Sequence, residues 1–199
     1  MRLDLEAMEP DPPNDAELLR AHDAADPQAF ARLYDRYDRP CFLFIRRMLG
    51  TAHAAAAEDV HQEVWIAIAR AAADFDPGKA SFATWLFTIA RRKVFDHHRR
   101  QRVVPLRSDL DDSAMLVPDP GPTPLDRVES RELVERLVTA VETLPLEQRG
   151  AFIMFADAGL SLEEIAQASG VSVETAKSRL RYARAKLRQA LAGERSDHV

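Results

Sequence analysis

The chain has 199 residues, which is enough for one ordinary domain or two small ones, and 46% of them are hydrophobic, so it can build real cores. Its formal net charge is -5, and its single cysteine, Cys41, cannot form an internal disulfide, which fits a reducing cytoplasm. No apolar run approaches the length of a membrane span, and the acidic N-terminus lacks a secretory signal, so we expect a cytoplasmic protein with no membrane insertion.

The net charge hides an uneven distribution. Residues 1–17 and 108–129 each hold six acids and one Arg, whereas basic residues are concentrated in two other stretches. The acidic net charge therefore does not argue against a nucleic-acid partner.

Helices are predicted throughout the first part of the chain. Residues 1–14 are acidic and rich in Pro, which is typical of a disordered tail. Asp26 and Pro27 mark the start of a long helix, because Pro is favoured in a first turn. Pro40 lacks an N–H, which predicts a break or kink there and a separate helix over 41–49.

The middle of the chain contains two helices and then a change of composition. A helix is predicted over 54–72, and the Pro-Gly pair in 74–80 marks a loop. Ser81 caps a further helix that continues into the basic sequence of 91–102. Residues 103–128 are rich in Pro, Asp and Ser, and this composition predicts an extended linker.

Helices resume at about residue 129, and another is predicted over 146–157 before a terminal helix-turn-helix. No stretch alternates polar and apolar residues long enough to predict a strand. The sequence thus predicts an all-α protein of two small helical domains, 15–102 and 129–192, followed by a tail over 193–199.

The helix-turn-helix is predicted from local signals. Ser161 and Glu164 form a capping-box pattern, Gly170 supplies a positive φ for a tight turn, and Ser172 is a second N-cap. In this motif the N-terminal part of the second helix reaches base edges in the major groove. Here that part contains Glu174, Thr175, Lys177, Ser178 and Arg181.

Residues 177–188 hold six Lys or Arg and no acid. A solvated amphipathic helix with a cationic face is the simpler alternative, but it ordinarily carries acidic partners at helical spacing. We therefore favour contact with DNA.

A second basic stretch, 91–107, carries seven Arg or Lys against one acid, Asp96, and follows several aromatic residues. Cations beside aromatic rings suit single-stranded nucleic acid, because phosphates take the charges and bases stack on rings. The alternative is that Phe82 and Trp85 are core residues at helical spacing, and for Trp85 we favour this alternative.

Asp96, His97 and His98 resemble a motif of manganese phosphoesterases, whose carboxylate and imidazole groups suit that metal. Consecutive helical residues point about 100° apart, however, which spoils chelation. We favour a phosphate-facing role for the two His.

The acidic helix 58–65 presents Glu58, Asp59, Gln62 and Glu63 either to solvent or to a basic helix of a partner, and the residues alone leave both possibilities open.

The chain resembles bacterial sigma factors of the sigma-70 family, specifically the extracytoplasmic-function (group four) kind. The order and spacing of four segments carry the resemblance: FARLYDRYDRPCFLFIRRMLG (30–50), EDVHQEVWIAIARAAADFDP (58–77), SFATWLFTIARRKVFDHHRRQR (81–102) and LPLEQRGAFIMFADAGLSLEEIAQASGVSVETAKSRLRYARAKL (144–187).

The resemblance implies a role for each group of residues. Residues that dock on the polymerase clamp would be Asp59, Gln62 and Glu63. Residues that capture the unpaired minus-ten strand would be Asp76, Lys79, Ser81, Trp85, Arg91, Arg92, Lys93, His97, Arg99 and Arg100. Residues that read the minus-thirty-five duplex would be Ser172, Glu174, Thr175, Lys177, Ser178, Arg181, Tyr182 and Arg184.

The resemblance also implies the partners. They would be core RNA polymerase, through its β′ clamp and β flap, promoter DNA, and a separate anti-sigma factor. No catalytic residue, cofactor or metal is expected. Glu174 and Ala176 stand where the family often has Gly and Val, so promoter preference does not transfer. The alternative function is a helix-turn-helix regulator that binds duplex DNA without polymerase.

Overall fold

The computed structural model describes residues 14–23, 26–103 and 134–192, and every regular element within them is a helix. This confirms the predicted all-α class. The helices of the first lobe (described residues up to 103) are α1 (Asp15–Asp23), α2 (Pro27–Leu49), α3 (Ala57–Arg70) and α4 (Phe82–Val103). Those of the second lobe (134–192) are α5 (134–142), α6 (Leu146–Ala156), α7 (Leu162–Ser169) and α8 (Val173–Ala192).

Two of the predicted helix starts are confirmed by capping hydrogen bonds. The Asp26 carboxylate accepts from the Gln28 amide at 2.9 Å, with Pro27 in the first turn of α2. The Ser81 hydroxyl accepts from the Thr84 amide at 3.2 Å at the start of α4. Of the predicted tail 1–14 and the predicted linker 103–128, all but residues 14 and 103 lie outside the described residues, and so do the predicted helix start near 129 and the predicted tail 193–199.

The prediction of a break at Pro40 is wrong, because α2 runs without interruption past it. A Pro inside a helix costs about 3 kcal/mol. Buried side chains lie on both sides of it, with Leu33 before and Phe44 and Ile45 after, all at 0% exposure. Each contributes about 1.5–3 kcal/mol on burial, which outweighs the cost and keeps the helix in one piece.

The predicted helix over 54–72 is also too long at both ends. Gly50 leaves α2 with φ 74°, and the chain turns back through a 3-10 segment, Thr51–Ala56, before α3 begins. A second 3-10 segment, Ala72–Asp74, follows α3. The tighter winding of a 3-10 helix suits such short reversals.

The buried residues of both lobes form one contiguous core. Its largest fully buried side chains include Phe44, Phe87 and Met48 from the first lobe and Ile153 and Met154 from the second. α4 packs against α2 and α3 on its own lobe and against α7 on the other. In the described part of the chain, no helix combines the length and the apolar character that crossing a bilayer requires.

Candidate nucleic-acid interface

The helix-turn-helix forms as its local signals predict. The Ser161 hydroxyl accepts from the Glu164 amide at 3.2 Å while the Glu164 carboxylate accepts from the Ser161 amide at 2.9 Å, which completes the capping box. Gly170 ends α7 in the left-handed region with φ 65°. The Ser172 hydroxyl then accepts from the Thr175 amide at 3.2 Å, so α8 starts where the sequence predicts.

α8 divides sharply into a buried and an exposed face. The buried face packs on the other helices of the second lobe and consists of Ala176, Leu180, Ala183 and Leu187. The residues predicted to read the minus-thirty-five duplex lie on the opposite side. Ser178 among them is half-buried, and the exposed ones are Ser172, Glu174, Thr175, Lys177, Arg181, Tyr182 and Arg184.

Two of the cations of α8 have acidic partners. Arg179 forms an ion pair with Glu147 of α6 at 3.0 Å, and Lys177 lies 3.8 Å from the Glu174 carboxylate. Neither acid lies within 177–188, so counting acids there misses both. The expectation of an unpaired cationic face is therefore wrong for these two residues.

Aromatic rings support two other cations of α8. The Arg181 guanidinium lies 5.1 Å from the centroid of the Tyr182 ring, and that of Arg184 lies 4.5 Å from the centroid of the Phe155 ring. Such cation–π contacts orient a guanidinium without neutralising it. Both groups remain available to an anionic ligand.

The loop before α4 is held together by Asp76. Its carboxylate accepts from the Gly78 amide at 2.9 Å and pairs with the Lys79 ammonium at 2.9 Å. The hydrogen bond from Lys79 holds the pKa of Asp76 below its usual value. Two of the residues predicted to capture a strand thus also fix the shape of the loop that carries them.

The aromatic residues of α4 divide between core and surface. Phe82 is 2% exposed, so the core interpretation is right for it. Trp85 is only partly buried, with its ring centroid 5.2 Å from that of Phe75 and 6.0 Å from that of Phe82. It packs on the core and still has surface on which a base could stack.

Carboxylates from three different elements pair with the cations of α4. Lys93 lies 3.1 Å from Glu63, and Arg100 lies 3.9 Å from the same carboxylate. Arg91 bonds to Glu147 of the second lobe at 2.7 Å, and Arg99 pairs with Asp96. Arg92, Arg99 and Arg100 reach solvent.

The Asp96-His97-His98 triplet does not converge on one point. Asp96 binds Arg99, whereas the His98 Nε2 lies 3.3 Å from the Met48 carbonyl oxygen. His97 is partly buried beside His53, and burial lowers its pKa. Among the residues that the structure describes, no set of three or more His, Cys, Asp and Glu side chains is placed to hold a metal ion.

The predicted polymerase-docking residues lie on α3 but differ in their surroundings. Asp59 and Gln62 are exposed, whereas Glu63 is half-buried and tied to Lys93 at 3.1 Å. Beside them a shallow groove of about 450 Å³ is lined by Phe30, Tyr34, His61, Gln62, Trp65, Ile66 and Ala69.

Sequence reasoning missed this groove. Ile66 is 42% exposed and Tyr34 is 39% exposed. Ile66 follows Asp59 by seven residues and Gln62 by four, so helical spacing alone could have placed it on the polar face. Within the groove, the His61 Nε2 accepts a hydrogen bond from the indole N–H of Trp65 at 2.9 Å. Burial lowers the pKa of His61.

Comparison with known proteins gives two family matches. The family model for sigma-70 region 2 matches residues 33–103, and that for sigma-70 region 4 matches residues 134–187. The chain is 35% identical over 173 residues to the ECF RNA polymerase sigma factor RpoE of Cereibacter sphaeroides, covering 86% of this chain and 92% of that one. It is 32% identical over 178 residues to the ECF sigma factor SigM of Mycobacterium tuberculosis, covering 89% and 85%.

Two solved structures share the fold. CnrH, in complex with the cytosolic domain of CnrY, matches with a TM-score of 0.67 and 24% identity over 90% of this chain and 98% of that one. The sigma factor RpoE of Bartonella quintana, in complex with the anti-sigma factor NepR, also has a TM-score of 0.67 and 24% identity, over 83% and 98%.

Proposed function

Since the chain belongs to the extracytoplasmic-function (ECF) sigma factors of the sigma-70 family, we propose that its first lobe docks on core RNA polymerase and captures the unpaired minus-ten strand, while its second lobe reads the minus-thirty-five duplex. It acts in the cytoplasm as a transcription initiation factor and not as an enzyme. The observation that carries the proposal is the match of region 2 and region 4, in this order, to two lobes with chemically different basic surfaces.

Duplex reading by the second lobe is supported by the geometry of α8. A helix enters the major groove with its N-terminal residues towards base edges. The exposed side chains of that part include hydroxyls, an ammonium and the guanidinium of Arg181. Arg pairs bidentately with guanine, and hydroxyls accept or donate to several bases, so this set suits direct readout.

Strand capture by the first lobe is supported by the presence of exposed cations and a partly exposed aromatic ring on the same helix. Arg92, Arg99 and Arg100 are exposed along α4, and the partly exposed Trp85 lies earlier on the same helix. Stacking of an unpaired base on such a ring contributes about 1–3 kcal/mol, and arginines neutralise the phosphates that follow.

Docking on polymerase is supported by the exposed surface of α3, where polar and acidic side chains lie next to exposed apolar ones. Asp59 and Gln62 project beside Ile66 and the groove that Tyr34 helps to line. A basic helix of the polymerase clamp would complement the charge and cover the exposed apolar side chains.

An anti-sigma factor is a further proposed partner. The structural relatives CnrH and RpoE were solved in complex with the cytosolic domain of CnrY and with the anti-sigma factor NepR, respectively. We expect a comparable protein to bind this chain and to compete with polymerase. Affinity purification of the tagged chain from its own cells, with and without excess core polymerase, tests this: displacement of the same small protein supports it, and simultaneous binding of both contradicts it.

Replacing Arg181 by Ala should weaken binding to the minus-thirty-five duplex by about 1–3 kcal/mol if its guanidinium reads a base edge. Binding of the polymerase–sigma complex to promoter duplexes is measured by fluorescence anisotropy at several salt concentrations. Lys186→Ala, further along the exposed side of α8, is the matched control. A uniform loss over all sequences with a shallower salt slope would assign Arg181 to phosphate contact instead.

Association with polymerase tests the proposed function at its first step. The chain is mixed with core RNA polymerase and separated by gel filtration, and we expect co-elution. A chain that binds promoter duplex tightly by itself and never co-elutes would be a stand-alone regulator.

A further inference from the structure

The exposed face of α8 carries one acid among its cations. Glu174 lies in the first turn of the helix, and 79% of its side chain is exposed. Its carboxylate lies 3.8 Å from the ammonium of Lys177, three residues further along, whose side chain is 64% exposed. Every other charged residue of α8 is a Lys or an Arg.

Glu174 lies in the middle of the face that α8 turns away from the rest of the protein. At about 100° per residue, Glu174, Ser178 and Arg181 form a row along the helix, on the side opposite to the buried face. The N-terminal part of such a row faces base edges when the second helix of a helix-turn-helix lies in the major groove. A carboxylate therefore stands where the proposed duplex-reading surface meets DNA.

The stability of α8 does not require a carboxylate at this position. The helix start is already capped, because the Ser172 hydroxyl accepts from the Thr175 amide at 3.2 Å. The exposed pair of Glu174 and Lys177 adds little, since water screens both charges. Close to DNA, moreover, the phosphates repel a carboxylate, so Glu174 lowers affinity unless a donor on a base compensates for the repulsion.

The major groove offers a carboxylate few favourable partners. Its hydrogen-bond donors are the N4 amino group of cytosine and the N6 amino group of adenine, whereas guanine and thymine present acceptors. Adenine places its N7 acceptor next to N6, and the lone pair of N7 repels a carboxylate. Cytosine presents no acceptor at this edge, so it is the base that suits Glu174 best.

The Lys177 ammonium completes the match to a C·G base pair. In that pair the cytosine N4 donates to guanine O6, so a donor and an acceptor lie about 3 Å apart at the groove edge. Glu174 and Lys177 present an acceptor and a donor 3.8 Å apart. The carboxylate can therefore accept from N4 while the ammonium donates to O6 or N7 of the guanine. Because the two charges cancel, the pair contributes to discrimination between bases and not to general attraction to phosphates.

We propose that Glu174 and Lys177 together recognise one C·G base pair of the duplex, with the carboxylate on the cytosine amino group and the ammonium on the guanine of the same pair. The inference rests on the proposed function, since it assigns a base preference to the duplex-reading surface of the second lobe.

Glutamine at position 174 should change the preference in a defined direction. A glutamine side chain has almost the same shape as glutamate, but its amide accepts from adenine N6 and donates to adenine N7 at the same time, which a carboxylate cannot do. Glu174→Gln should therefore favour A·T at the position where the unmodified chain favours C·G, and leave the preferences at other positions unchanged.

The test uses the full chain in complex with core RNA polymerase. Promoter duplexes with a randomised minus-thirty-five segment are selected with the complex and sequenced, and fluorescence anisotropy then gives the affinity for all four base pairs at each preferred position. For the unmodified chain we expect one position at which C·G is favoured by about tenfold over the other three pairs. Glu174→Gln should favour A·T there, and Lys177→Ala should reduce the preference for C·G.

Glu163→Gln is the matched control, because Glu163 is an exposed acid in the first turn of α7. It makes the same change of charge at the start of a neighbouring helix and should leave every base preference unchanged. If Glu174 only stabilised the start of its helix, both variants would shift the melting temperature slightly and neither would change a base preference.

Identical base preferences in the Glu174→Gln complex and the unmodified complex would overturn the inference. It would also be overturned if no selected position favoured C·G, or if Glu174→Gln changed the preference only at another position. In these cases the proposed function stands, provided that the unmodified complex selects specific duplexes. If it selects none, the proposed reading of the minus-thirty-five duplex fails, and the base assignment fails with it.

Discussion

Phe44→Ala should cost about 3–5 kcal/mol of unfolding free energy, the largest effect on stability that we expect from one substitution. Phe44 is fully buried, and its ring packs edge-on against that of Phe87 at 5.2 Å between centroids, which joins α2 to α4. Because domains are stable by only about 5–15 kcal/mol, this loss is a large fraction of the total, and the variant should melt at a markedly lower temperature. Thermal unfolding followed by circular dichroism measures the change.

Phe155→Ala is the matched control for this prediction. Phe155 is 40% exposed and contacts the Arg184 guanidinium, so its loss should cost about 1 kcal/mol or less. If the two variants melt together, the junction of α2 and α4 does not hold the first lobe in the way described.

Asp59→Arg combined with Gln62→Arg should reduce affinity for core RNA polymerase by about 100-fold or more. Both residues are exposed on α3 beside the apolar groove. Like charges placed opposite each other at an interface cost several kcal/mol, and each 1.4 kcal/mol is about a factor of ten in affinity. Competition binding to labelled core polymerase measures the effect.

Glu58→Arg controls for the change of charge, because Glu58 is exposed in the first turn of the same helix and, although it belongs to the same polar face, is not among the three residues that match the docking positions. It should change affinity by about threefold or less, as expected for a charge at the rim. An equal loss in both variants would mean that the net charge of α3, and not this surface, governs the interaction.

The local features of this fold could be predicted from the sequence because their causes are local. Each start at Asp26, Ser161 and Ser172 is fixed by a hydrogen bond to a residue two or three positions away. Gly170 likewise needs only its own left-handed φ to end α7. Such signals depend on neighbouring residues, which the sequence displays directly.

Features that depend on distant residues escaped prediction. The continuity of α2 through Pro40 is decided by burial on both sides, which local propensity does not register. Glu164 and Ser81 are 83 positions apart in the sequence, and Arg91 and Glu147 are 56 positions apart. The residues adjacent to each of them in the sequence therefore give no indication of the contact. The same reason explains why the acid beside Arg179 was not foreseen: it comes from another helix.

The most direct test of the account is transcription in vitro with core RNA polymerase, this chain and genomic promoter fragments. We predict new, specific start sites that appear only when the chain is present, and their loss with the Asp59→Arg, Gln62→Arg variant. If the chain adds no start site to those of core polymerase alone, the central claim is contradicted.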